Sequence, residues 1–265
     1  MKTIRVLPCV LVGILAIGLN LGCSRGPTEE ELKFAELQAQ FTTIQEQFDH
    51  LQEVRAELAA KRAAVSEIEA EDERKLSDEQ KALLEDSLAE IEALSSQEEE
   101  AFEQVEGNLA EFLNVALNDF PEAEETQKAL DIYSMEAIIV AEDMVTKAGD
   151  YAKAIDHLGA VGSLYDQVGL DAYPGIDEKI AWLNSWRFIT QERFDEVKKG
   201  MTKDEVKVLA GVPYYQNIQK DEKRGVETWL YRKEDGGAAA IYFKMKTGKV
   251  YNKNYDAIKT KVVEE

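Results

Sequence analysis

The chain has 265 residues, 52 acidic side chains against 31 basic ones, and a net charge of −21 at neutral pH. That balance argues against a nucleic-acid partner, because a phosphate backbone repels an acidic surface. Only two cysteines, Cys9 and Cys23, are present, which excludes a disulfide framework. The length leaves room for about two domains.

At the start, Lys2 and Arg5 precede an apolar run over residues 6–19. The run is about 14 residues long, against roughly 20 for a membrane-spanning helix, and it contains Pro8, Gly13 and Gly18. A basic start, an apolar middle and small residues at the break describe an export signal. The run closes on Leu19-Asn20-Leu21-Gly22-Cys23. Leu21, Gly22 and Cys23 resemble the lipobox of bacterial lipoproteins, with a departure at Asn20, where that family usually has leucine. The resemblance implies a signal peptide over 1–22 and Cys23 as the lipid-modified first residue, with 23–28 as a lipidated linker. The lipid would be a diacylglyceryl group, often with a third, palmitate-like chain. Several acyl chains hold a protein firmly where one holds it weakly. Ser24 after the cysteine implies delivery to the outer membrane, on its periplasmic face. The competing reading is an ordinary signal peptide with a coincidental cysteine.

Charge is unevenly placed. Residues 24–120 carry 26 acidic and 8 basic side chains, a net −18, and residues 121–194 carry 14 and 6, a net −8. Residues 195–265 carry 12 and 15, a net +3, and this change of sign suggests a domain boundary near residue 195.

Residues 29–118 contain no proline and a single glycine, Gly107. Thr28 and Glu31 have the spacing of a capping box. Phe34, Phe41 and Phe48 then recur in one seam, and Leu37, Ile44, Leu51, Leu58 and Val65 in the other, with Arg55 and Arg62 interrupting the first series. Alternating steps of three and four are the signature of a coiled coil. The pattern dissolves across the charged stretch 69–75, and Ser77 with Gln80 offers a second capping box. A new seam follows through Leu84, Leu88, Ile91 and Leu94, and continues through Phe102, Val105, Leu109, Phe112 and Leu113. Two helices of about 40 residues would each extend roughly 60 Å. They can fold back as an antiparallel hairpin or form one rod that dimerises; a homodimer through this coiled coil is one expected partner.

Pro121 suits the first turn of a helix, and residues 129–148 have helical spacing that Gly149 can end. The run Gly149-Asp150-Tyr151-Ala152-Lys153-Ala154-Ile155 resembles the turn and second helix of a tetratricopeptide unit, through Gly149, Tyr151 and Ala154. A generic helical hairpin is the equal alternative, since a single unit lacks stacked neighbours. Gly169 and Tyr173-Pro174-Gly175 end the next helix, and another begins at Ile176. Trp182 and Trp186 on it, four residues apart, are expected in the core. The segment 119–193 is thus a central helical unit.

Residues 194–265 change character. Thr202 and Glu205 make a third capping box, and a short helix ends at Gly211 with Pro213 beyond. Strand-like runs follow at 214–219, 226–232 and 238–244, with 249–252 as a fourth strand or the tail of the last hairpin. The expected class is α+β: a long amino-terminal helical hairpin or coiled coil, a central helical segment, and a small domain of two helices and a three-stranded antiparallel sheet. The segment Gly200-Met201-Thr202-Lys203-Asp204-Glu205-Val206, followed by Leu209-Ala210-Gly211-Val212-Pro213, Trp229 with Tyr231, Phe243 and Gly248, resembles the SmpA/OmlA (BamE) family of small lipoproteins. The resemblance covers about 60 residues. It implies binding to the outer-membrane assembly machinery and no enzymatic activity. The chain departs from the family in the long helical region ahead of the domain.

His50 and His157 are the only histidines, and no metal-ligand spacing, nucleophile elbow or phosphate loop occurs. No metal, cofactor or catalytic residue is therefore expected. The sequence reading is a lipid-anchored envelope scaffold or adaptor with an envelope-protein partner. Tyr214, Tyr215, Trp229 and Tyr231 are its candidate partner-binding residues. The alternative is an inhibitor-like or ligand-binding module, whose sheet face would display Trp229, Tyr231, Tyr242 and Phe243.

Overall fold

The computed structural model describes residues 26–69 and 76–259. The export segment, Cys23 and the charged stretch 70–75 lie outside the described residues. The α+β class holds: seven helices precede a four-stranded antiparallel sheet among the described residues.

Helix α1 (Glu29–Glu69) starts where expected. The Glu31 N–H donates to the Thr28 hydroxyl at 3.2 Å, and the Glu31 carboxylate accepts the Thr28 N–H at 2.6 Å. Helix α2 (Asp78–Asp119) opens on the Ser77–Gln80 capping box. The two helices run antiparallel, as two cross-links with opposed numbering show: Asn108 donates to Gln47 at 2.7 Å, and Arg55 to Glu98 at 2.9 Å. Leu37, Phe41, Ile44 and Leu51 of α1 meet Val105, Leu109, Phe112 and Leu113 of α2, all buried.

Helix α3 (Glu124–Ala148) begins three residues beyond Pro121, which lies in the preceding turn rather than in the helix. It packs against the hairpin and against α4 (Tyr151–Val168), and α5 (Pro174–Arg187) closes the bundle. A continuous core runs through all five helices, with Leu130, Ala141, Ala154, Leu158, Tyr165 and Leu183 wholly buried. The Tyr165 hydroxyl lies 2.9 Å from the Ser134 hydroxyl and donates to Asp131 at 3.1 Å, so this buried phenol is satisfied.

The share of α1 and α2 in that core ends near Arg55, which interrupts the heptads. Its guanidinium donates two parallel hydrogen bonds to Glu136 of α3, at 2.7 and 2.9 Å, and one to Glu98 of α2. Glu136 is only 5 % exposed. Three helices meet at this one fork, and a bidentate arginine–carboxylate pair fixes register as well as adding energy. On one side lies the shared core. On the other, Val54, Leu58 and Leu94 form a small separate cluster, and the hairpin continues as a two-helix arm. The seam predicted there is incompletely covered. Leu88 is 46 % exposed, since two helices alone cannot enclose a wide apolar stripe.

In the carboxyl-terminal domain, α6 (Gln191–Glu196) and α7 (Lys203–Ala210) lead into β1 (Ile218–Asp221), β2 (Val226–Arg232), β3 (Ala238–Lys244) and β4 (Lys249–Ile258). The sheet has four strands in sequential order, one more than the three expected. β4 is the longest, and slips in its register against β3, at residues 238–240 and 242–243, disguise its alternation. The first run is shorter than predicted, because Tyr215–Asn217 form a 3-10 turn before the strand. Phe194, Val197, Val206 and Ala210 cover one sheet face, burying Trp229, Tyr231, Ile241, Phe243 and Val250.

Arg55→Ala leaves the Glu136 carboxylate buried without its partner and should lower unfolding free energy by about 3 kcal/mol. The double replacement Arg55→Met with Glu136→Met should recover most of that loss. Equilibrium urea denaturation of the wild type and both variants measures the difference.

Candidate interaction surface

The two cores meet at a tight polar junction. Gly149 ends α3 with φ +67°, and a Cβ there would overlap the Pro213 carbonyl. Asp150 caps α4, its carboxylate accepting the Lys153 N–H at 3.1 Å, which sets Tyr151 at the helix start. The Tyr151 hydroxyl accepts the Val212 N–H at 3.2 Å. Gly211, at φ +86°, passes beneath it, and a Cβ there would sit 2.8 Å from the hydroxyl. From the sheet side, the Tyr231 hydroxyl donates to the Gly211 carbonyl at 3.1 Å. Burial raises both phenols' pKa, most for Tyr231, so both stay neutral, Tyr151 accepting and Tyr231 donating.

This geometry reassigns two predicted contact residues. Trp229 and Tyr231 are 3 % and 6 % exposed and belong to the core. They alternate onto the face that α6 and α7 cover. Trp229 donates its indole N–H to Glu227 at 2.7 Å and packs on Phe243 with ring centroids 4.5 Å apart. Lys203 donates to the other oxygen of Glu227 at 2.7 Å. The displayed shelf of four aromatics does not form. Trp229, Tyr231 and Phe243 are buried together, whereas Tyr242 is half-buried, 6.2 Å from Tyr251.

Tyr214 and Tyr215 do reach the surface. Tyr215 is 54 % exposed, Tyr214 is half-buried, and their rings meet edge-on at 4.9 Å. Beside them the junction brings up groups that the sequence reading had assigned elsewhere or passed over. Trp182, expected in the core, is 44 % exposed. Its ring lies 5.9 Å from that of half-buried Trp186. The Arg193 guanidinium stacks 4.7 Å from the Trp186 ring, and those of Arg187 and Arg232 lie 5.2 and 5.7 Å from Phe188. A crease bordered by Trp186, Arg187, Tyr214, Asn217 and Arg232 joins the two aromatic pairs and encloses only about 20 Å³. That is the space of about one water, so the surface is nearly flush. The single signal available in the sequence was the four-residue spacing of Trp182 and Trp186. It fits a core stripe equally well, because periodicity does not say which face is covered.

The described residues contain no grouping of three or more histidine, cysteine or acidic side chains placed to hold a metal ion. No described helix is long and apolar enough to cross a membrane. Cys23 lies outside the described residues. Comparison with protein-family models, with curated proteins and with solved structures gave no match.

Two predictions test this local structure. Tyr151→Phe should cost about 1 kcal/mol by orphaning the Val212 N–H, and Gly211→Ala should cost more, from its left-handed φ together with the collision on Tyr151. Both are read by thermal and urea unfolding. Burial works to raise the pKa of Glu227, but hydrogen bonds from Lys203 and Trp229 outweigh it and hold the value below the ordinary carboxylate range. Its stabilising contribution is therefore complete above the unfolded-state value and disappears as pH falls through the lowered folded one. Glu227→Gln should flatten the loss of stability between about pH 5 and pH 3 in an acid series of urea midpoints.

Proposed function

We infer that the protein is a lipid-anchored, periplasm-facing scaffold or adaptor of a bacterial envelope, tethered through Cys23 and binding a protein partner at the junction between its helical unit and its carboxyl-terminal domain. The observation that carries the reading is the flush, continuous surface of Trp182, Trp186, Arg187, Tyr214, Tyr215 and Arg232. Tryptophan, tyrosine and arginine dominate the energetics of protein interfaces, whereas small-molecule sites are deep cavities of some hundreds of Å³. The basic and apolar leader ending at Leu21-Gly22-Cys23 supports the anchor. The capped helix α7, Gly211 and the Trp229–Tyr231 strand support a BamE-like origin for the domain, and with it a role in outer-membrane protein assembly or envelope integrity. The long hairpin supports a spacer role, holding the junction away from the anchored end. The inhibitor-like alternative loses its displayed aromatic shelf, because α6 and α7 cover Trp229, Tyr231 and Phe243.

The test has two arms. Labelled fatty acid should enter the wild type and not Cys23→Ala. In affinity purification from detergent-solubilised membranes, the wild type should recover a discrete envelope protein, and Trp182→Ala with Tyr215→Ala should reduce that recovery at least about tenfold. Both side chains are exposed, so unfolding temperature should hold. Equal recovery by the double variant would remove the junction surface from the interface, and absence of label would remove the anchor.

A further inference from the structure

The carboxyl-terminal domain carries a cationic end that neither core nor junction uses. The β1–β2 and β3–β4 turns lie side by side, as the hydrogen bond from the Met245 N–H to the Gly225 carbonyl at 2.9 Å shows. The loop before α7 joins them, since the Gly200 N–H donates to the Val250 carbonyl at 2.8 Å. Three segments distant in sequence therefore present Lys199, Lys220, Lys223, Lys244, Lys246 and Lys249 at one end of the sheet. All six are exposed, and none joins an ion pair among the described residues. The local carboxylates are partly committed elsewhere: Glu227 to Lys203, Asp221 to Arg224 and Asp204 to Lys207. Glu205 holds the α7 cap, and Glu222 lies in the β1–β2 turn.

The opposite charge is concentrated on the hairpin arm. Beyond the Arg55 fork, residues 56–69 and 76–97 carry nine carboxylates against three cations. One of those cations, Lys61, is already paired with Glu90. This arm lies outside the shared core, and Glu79, Glu85, Asp86 and Glu92 are exposed on it.

We propose that the lysine end of the sheet docks on the acidic hairpin arm of a second copy of this chain, giving head-to-tail association. Each copy supplies one surface of each sign, so the contact is heterologous and propagates into a ring or a chain of molecules. Its salt dependence follows from the two length scales involved. At about 0.1 M salt, repulsion between two strongly acidic molecules is screened beyond about 10 Å, while opposed charges in contact still attract. At about 1 M the screening length falls to about 3 Å and the contact pairs are lost as well.

The full chain, purified in non-ionic detergent and fluorescently labelled at trace concentration, is titrated with unlabelled chain and followed by anisotropy. Association should appear at about 0.1 M salt and vanish near 1 M. Reversal of four charges (Lys223→Glu, Lys244→Glu, Lys246→Glu and Lys249→Glu) should weaken it at least about tenfold. An arm variant with Glu79→Lys, Glu85→Lys, Asp86→Lys and Glu92→Lys should also fail to self-associate. Mixed together, the two variants should bind each other again, which separates a charge match from damage to either fold. A chain that stays monomeric at both salts overturns the proposal. So does self-association that the sheet variant retains, or a mixture of the two variants that fails to bind. Binding of the wild type to anionic vesicles, lost in the sheet variant while self-association is unchanged, would assign the lysine end to a membrane and overturn it too.

Discussion

The arrangement of the molecule turns on one phenol. Tyr151 stands at the first turn of α4 and accepts the Val212 N–H, while Gly211 lies directly beneath its hydroxyl. Tyr231 completes the junction from within the sheet by donating to the Gly211 carbonyl. Two backbone groups between α7 and β1, which would otherwise be buried without partners, are thereby satisfied, one from each side of the boundary. A buried peptide group tolerates little displacement from its partner, so the helical unit and the sheet domain are held at one mutual position. The exposed aromatic surface is a consequence, because only that position sets Trp186 and Arg187 of α5 beside Tyr214 and Arg232.

A second polar device shapes the helical half. A buried charge is costly, and a buried ion pair commonly adds less stability than apolar packing of equal volume. Arg55 nevertheless sits where the heptads call for a hydrophobe, forked onto Glu136 and braced by Glu98. Its effect is positional. The fork ties α1, α2 and α3 together at one level, next to which Val54, Leu58 and Leu94 form a cluster of their own. Above that level two helices continue alone, with leucines only part-covered and carboxylates outward. Core, fork and arm are consecutive stretches of the same two helices, and they differ only in how many neighbours each stretch has.

The polar devices also divide the charge of the chain. The helices hold nearly all of the excess acid, whereas the sheet domain gathers its lysines at one end. The aromatic surface lies between the two, next to arginines whose guanidinium groups lie over aromatic rings. The three places present different chemistry: aromatic rings and guanidinium groups at the junction, carboxylates along the arm, and ammonium groups at the lysine end.

Much of this was legible in the order of residues, because local rules carried it. Capping boxes at Thr28, Ser77 and Thr202 mark helix starts through contacts three residues apart, and glycines at 149, 169 and 211 mark ends through the backbone conformations that favour glycine. Strand β2 follows from alternation, β3 from a short apolar run between polar turns, and the Leu21-Gly22-Cys23 motif is a statement about sequence alone. Where neighbours come from far along the chain, the order of residues was silent. Trp182 and Trp229 are the same residue type on equally plausible apolar faces. One is at the surface and the other in the core because α6 and α7 cover one face of the sheet, while nothing among the described residues covers that side of α5. Arg55 reads as a flaw in a heptad until Glu136, 81 positions later, is set against it. Local hydrogen bonding and periodicity decide which elements form. Burial depends on which distant elements pack together, and that was decided only by the tertiary structure.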